Sequence, residues 1–152
     1  MNEQSPQGID EKREKPKLEV WVIEDDNTSR KLIVAVVGMK MPESRCVGFE
    51  KAEDALGEFE EKKLEGKPLP AGIFVDGSLL QDSESFQHGP LIVAKIRKMQ
   101  ENSKPPFIVA ISGDEELNNA MMQNGANLIV AKPCGMDKLN DALEKIKEES
   151  SI

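Results

Sequence analysis

The feature that most constrains this chain is a recurring kind of apolar run. Five short segments lack polar alternation: LEVWVI (18–23), RCVGFE (45–50), AGIFVD (71–76), PPFIVAIS (105–112) and ANLIVAK (126–132). A strand with one wet face alternates apolar and polar residues. A strand that does not is covered on both faces, as in a parallel sheet clad with helices. The intervening stretches have helical character. NTSRKLIVAVVGM (27–39) offers Asn27 or Thr28 as its N-cap, and AEDALGEFEEKKL (52–64) puts Ala52, Ala55, Leu56 and Phe59 on one face before EGKPLP breaks it. HGPLIVAKIRKMQ (88–100) contains a third helix, DEELNNAMMQNG (114–125) a fourth that stops at Gly125, and GMDKLNDALEKIKEES (135–150) a fifth. Strand and helix alternate five times. Right-handed crossovers then predict an α/β three-layer sandwich, a flavodoxin-like (βα)5 fold with a five-stranded parallel sheet. A chain of 152 residues suits one such domain, over 18–152. Residues 1–17 are polar and charged, and are expected to form a disordered N-terminal tail.

Composition narrows the function. The net charge is −8, with basic residues interleaved among acids, so no basic face is available for nucleic-acid phosphates. Five Phe, one Trp and no Tyr provide little for base stacking. Direct nucleic-acid binding is not expected. No run approaches the ~20 apolar residues of a membrane span, and the polar N-terminus is unlike a secretory signal. Two cysteines, Cys46 and Cys134, make neither a disulfide framework nor a metal cluster. A cytoplasmic protein is the expectation.

In open parallel sheets, function gathers beyond the C-terminal ends of the strands. The first strand delivers Glu24, Asp25 and Asp26 there, the second ends near Glu50, and the third delivers Asp76. The fourth delivers Ser112 followed by Gly113, and the fifth Lys132 followed by Pro133. Adjacent carboxylates repel one another and resist leaving water, so a cation or solvent must offset them. Glu24, Asp25 and Asp76 suit a hard divalent ion, and magnesium accepts such a partial oxygen shell. Asp76 is then placed as a nucleophile toward phosphorus. Lys132 and Ser112 can bear on the phosphoryl oxygens, and Gly113 leaves room for close backbone approach.

These motifs resemble the receiver domains of response regulators, of the single-domain type typified by the bacterial chemotaxis regulator. VIEDD is similar to the acidic pair after the first strand, IFVDGSLL to the phosphoacceptor segment, VAISGD to the Ser/Thr segment, and GANLIVAKP to the closing Lys-Pro segment. The four occur in order over roughly residues 18–149. The resemblance implies two-component or phosphorelay signalling. A sensor histidine kinase or histidine phosphotransfer protein would donate a phosphoryl group to Asp76 with Mg2+ present. Glu24, Asp25, Asp76 and the Ser78 backbone carbonyl would hold the ion, and Ser112 and Lys132 would complete the catalytic set. The Ser78 side chain and Asp114 would tune phosphate lifetime. A shift of the surface around the fourth helix, fifth strand and fifth helix would alter binding of a downstream protein. Beyond its own phosphorylation and slow dephosphorylation no enzymatic turnover is implied, and the domain is either free-standing, a shuttle or part of a longer kinase.

The chain departs from the pattern in places. Leu80 stands where the family has Pro, QDSESFQHGP (81–90) lengthens a loop bordering the site, and EKKLEGKPLP lengthens the chain before the acceptor. Ile129 stands where an aromatic switch is usual. Other readings are a metal-dependent phosphatase with an aspartyl nucleophile, which wants an acid where Ser78 stands, and a pseudo-receiver, against which the full residue set speaks. A nucleotide-binding role lacks a Gly-rich loop after the first strand. His88, the lone histidine, reads as exposed. Cys134 reads as structural, Met121 and Met122 as helix packing, and Ser112 as a further candidate cap of the fourth helix.

Overall fold

The computed structural model describes residues 18–78 and 89–150. The expected tail (1–17), Leu80, His88 and most of the long loop lie outside the described residues. Ten elements alternate: β1 (Glu19–Ile23), α1 (Asn27–Lys40), β2 (Arg45–Phe49), α2 (Ala52–Glu65), β3 (Gly72–Asp76), α3 (Gly89–Met99), β4 (Phe107–Ser112), α4 (Glu115–Gln123), β5 (Leu128–Ala131) and α5 (Met136–Ser150). The five strands form one parallel sheet in the order β2-β1-β3-β4-β5. This is the flavodoxin-like (βα)5 sandwich that the unalternating runs predict.

Each central strand divides its side chains between two cores. Trp21, Ile23, Ile73, Val75, Ile108 and Ala110 pack under α2, α3 and α4, against Ala55, Phe59, Ile92, Ile96 and Met121. Val20, Val22, Phe74, Val109 and Ile111 pack under α1 and α5, against Ile33, Val37, Leu139, Leu143 and Ile146. The period of two along a strand thus buries both parities, which is why the sequence shows no alternation. The edge strand β2 is covered less well, and Arg45 and Gly48 are exposed. Trp21 anchors the first core, 6.1 Å from Phe59 edge-to-face and 4.9 Å from Phe49.

The helices correct three expectations. Asp26, not Asn27 or Thr28, caps α1, its carboxylate accepting from Ser29 N–H at 2.8 Å. Asp114, not Ser112, caps α4, accepting from Glu116 and Leu117 N–H. In both cases the first helical residue follows an extended Asp whose short carboxylate reaches back to the free N–H groups of the first turn. Met122 is 39% exposed, so Met121 alone of that pair packs inward. α2 ends at Gly66, whose positive φ of 70° turns the chain out of the helix toward Pro68 and Pro70. Among the described residues, no helix is long and apolar enough to cross a membrane.

Candidate functional site

The sheet order determines which strand ends meet. β1 and β3 are hydrogen-bonded neighbours, so the chain leaving β1 and the last residue of β3 lie side by side. Carboxylate oxygens of Glu24, Asp25 and Asp76 consequently lie within 4.8 Å of one another. Glu24 and Asp76 are buried, at 1% and 2% exposure, and Asp25 is half-buried. Such a set attracts a cation, and Lys132 supplies one from the far side of the sheet. Its Nζ donates to Glu24 Oε1 at 2.6 Å and to Asp76 Oδ1 at 3.4 Å.

The three consecutive acids therefore have three different settings. Glu24 is fixed by the backbone: its N–H donates to Phe49 O, its Oε2 accepts Asp26 N–H at 3.1 Å, and its carbonyl accepts Arg30 Nη1 at 2.8 Å. Asp25 joins the carboxylate cluster, and Asp26 turns outward to cap α1. Hydrogen bonds from Ser29 hold the Asp26 carboxyl below the usual range.

Burial pushes the Glu24 carboxyl up to about 7; the Lys132 hydrogen bond pulls it back, while the neighbouring Asp76 adds to the rise. Burial works against charge on Lys132 as well. The hydrogen bond to Glu24 and the charges of Asp76 and Glu24 outweigh it, so the ammonium is held above its ordinary value. The pocket thus concentrates negative charge and neutralises part of it with an internal cation. A hard divalent ion fits this donor set, because three carboxylates in mutual reach supply oxygen ligands and excess charge.

The remaining sequence-derived residues surround this cluster. Ser78 N–H faces Asp76 Oδ1 at 3.4 Å, and the Ser78 residue is exposed. Ser112 ends β4 next to β3 and is 2% exposed; its Oγ accepts Asp114 N–H at 3.1 Å. Lys132 N–H donates to Ser112 O at 3.0 Å, which ties the lysine segment to the β4 end, and the Lys132–Pro133 peptide is cis. Ile129 is half-buried against the core beneath α2, α3 and α4. Cys134 is half-buried and lines, with Ser29, Leu32, Ile33, Lys132 and Pro133, a hollow of about 410 Å³ beside the site.

Three residues escaped the sequence reading. Gly77 follows Asp76, and a Cβ there would stand 2.9 Å from Ser112 Cβ and 3.0 Å from Leu117 Cβ. A Cβ at Gly89 would stand 2.6 Å from Asp76 O and 2.7 Å from Gly77 Cα. Two glycines therefore let α3 and α4 close directly on the turn after Asp76. The third, Asn118 of α4, is buried and donates from Nδ2 to Ser112 O at 2.9 Å. Its spacing of three from Met121 puts both on one helix face, a signal the sequence did contain.

No protein-family model and no curated protein matches this chain. Solved structures do. A signal receiver domain of the DNA-binding response regulator merR from Colwellia psychrerythraea 34H matches with a TM-score of 0.71 at 16% identity, over 87% of this chain and 99% of that one. The receiver domain of a LuxO repressor protein from Vibrio parahaemolyticus gives 0.70 at 20% identity, covering 89% and 94%. The response regulator domain of Thermotoga maritima CheB gives 0.67 at 18%, covering 90% and 98%. This chain has the fold of those receiver domains, as the four motifs led one to expect.

Proposed function

We propose that the chain is a phosphoaccepting receiver of a two-component or phosphorelay system, with Asp76 as the acceptor. The observation that carries this reading is the cluster of Glu24, Asp25 and Asp76 oxygens within 4.8 Å, closed by the Lys132 ammonium at the C-terminal edge of a receiver-type sheet. A bound magnesium ion, held by Glu24, Asp25, Asp76 and the Ser78 carbonyl, would neutralise charge on the phosphoryl oxygens.

The chain's own residues do the rest. An Asp76 carboxylate oxygen attacks the phosphorus of a phosphohistidine; the O–P bond forms as the N–P bond breaks, and the imidazole leaves with the electron pair. Burial of Asp76, at 2% exposure, limits the approach of water to its carboxylate. Lys132, already aimed at Asp76, transfers part of its ion pairing to the new phosphoryl group. Ser112 gives its hydroxyl proton in a hydrogen bond to a phosphoryl oxygen, and its movement carries the signal to the neighbouring helix. The donor is a sensor histidine kinase or a histidine phosphotransfer protein, and the hollow lined by Leu32, Pro133 and Cys134 offers it an apolar foothold beside Lys132. The output is a changed affinity for a downstream protein, in a cytoplasmic setting.

The test is acetyl phosphate with Mg2+, read by intact-protein mass spectrometry and by peptide mapping. The parent should acquire one acid-labile phosphoryl group on Asp76, and Asp76→Asn should acquire none. Equal labelling of Asp76→Asn would move the acceptor elsewhere and end this reading.

A further inference from the structure

Asn118 is 3% exposed and uses only half of its amide. Nδ2 donates to Ser112 O at 2.9 Å, while Oδ1 has no hydrogen-bond partner among the described residues. A buried carbonyl oxygen left without a partner is unfavourable. The bond that Asn118 does make is not needed to satisfy its acceptor, because Ser112 O already receives Lys132 N–H at 3.0 Å. A leucine, branched at the same carbon though larger, would still leave Ser112 O paired with Lys132 N–H. Local stability therefore gives no reason for a polar side chain at this point.

Its placement gives one. Ser112 O is an atom on which the Lys132 segment and α4 both converge, the first through Lys132 N–H and the second through Asn118 Nδ2. The Ser112 hydroxyl binds the other end of the same turn, at Asp114 N–H. Little slack exists between this strand end and the helix, since Gly77 has room for no Cβ between Ser112, Leu117 and Met121. A displacement of Ser112 must therefore either pull on Asn118 or break its bond. Breaking it would free a second polar group of an amide that already has one unpaired, so following is the cheaper response.

We infer that Asn118 is a positioning residue that couples the Ser112 strand end to helix α4, so that displacement of Ser112 is passed to residues 115–123. This rests on the phosphoacceptor reading of Asp76, whose regulation it specifies. The coupling lies in a side-chain hydrogen bond to a main-chain carbonyl, and it operates without an aromatic residue at position 129.

The experiment uses the full chain, 15N-labelled, with Mg2+ and beryllofluoride, as parent, Asn118→Leu and Asn118→Ala. Amide shifts at Asp76 and Gly77 report adduct formation, and those of residues 115–123 report the helix. All three proteins should form the adduct, and the helix response in both variants should fall to less than about half of the parent's. A merely structural Asn118 would change melting temperature without separating the two responses. A parent-sized helix response in either folded variant overturns the inference, as does a parent whose adduct leaves α4 unmoved. If neither variant folds, the amide is required by the fold and the inference fails as well. A parent that forms no adduct removes the phosphoacceptor reading itself, a distinct result.

Discussion

Glu24 should make the metal-free protein less stable as pH rises from 5 to 8. Its carboxyl is held near 7 in the folded protein against an ordinary value of 4.5, mainly by burial. Between those two values the folded state binds more protons than the unfolded chain, so the pH derivative of the unfolding free energy is negative. Stability is thus fullest below about pH 4.5, declines through the interval, and levels off above about 7. At about 1.4 kcal/mol per pH unit, the difference of roughly 2.5 units corresponds to a loss on the order of 3 kcal/mol. At 1% exposure solvent screening takes little from this figure. Against a typical total of about 5–15 kcal/mol it is a visible fraction, equivalent to roughly 6–12 °C in melting temperature for a domain of this size.

Urea unfolding at half-unit pH steps, with chelator and then with millimolar Mg2+, measures it. With chelator the parent's midpoint should fall steadily from pH 5 to 7, while Glu24→Gln should show a much flatter profile. Added Mg2+ should raise the parent's midpoint more at pH 8 than at pH 5.5, because the ion binds the ionised carboxylate and competes with its proton. Lys132, whose ammonium is held above its ordinary value, loses its proton well above this window and leaves the sign unchanged. A chelated parent whose stability is flat or rising across the interval, with Glu24→Gln superimposable on it, would refute the burial argument.

Two further outcomes follow from the packing around Asp76. Gly89→Ala places a methyl 2.6 Å from Asp76 O and 2.7 Å from Gly77 Cα, backbone atoms that cannot swing aside; a loss of about 1–3 kcal/mol in urea unfolding is expected, with weakened beryllofluoride binding, and an unchanged protein would show that α3 does not close on the turn as described. Lys132→Ala removes the cation that rests on Glu24 Oε1 at 2.6 Å; calorimetric Mg2+ affinity should hold or tighten while the phosphorylation-dependent gain in partner binding disappears, and a marked loss of Mg2+ affinity would mean that the ammonium orders the carboxylates instead of competing for them.

How far the sequence revealed all this follows from what each feature depends on. The central strands β1, β3 and β4 were legible because burial on both faces leaves a local mark, a run without alternation, and the strand ends supplied Glu24, Asp76, Ser112 and Lys132 directly. Cap identities were harder. Asp26 was counted with the acids of the site because side-chain direction at a strand-to-helix junction is decided by the backbone turn, and only the structure shows its carboxylate on Ser29 N–H. Gly77 and Gly89 were invisible for another reason. Their importance lies in α3 and α4 meeting over one peptide, a contact between elements far apart in sequence that no local pattern encodes. Asn118 is the instructive intermediate. It stands beside Asn119 in a polar-looking stretch, yet one is buried and the other exposed. Helical phase assigns Asn118 to the Met121 face, so a polar residue on a packed face could have been flagged from sequence. Its hydrogen bond to Ser112 O could not, because that contact exists only once β4 and α4 are packed. The sequence therefore specifies which groups reach the pocket, whereas the close packing of α3 and α4 on the turn after Asp76 is specified only by the fold.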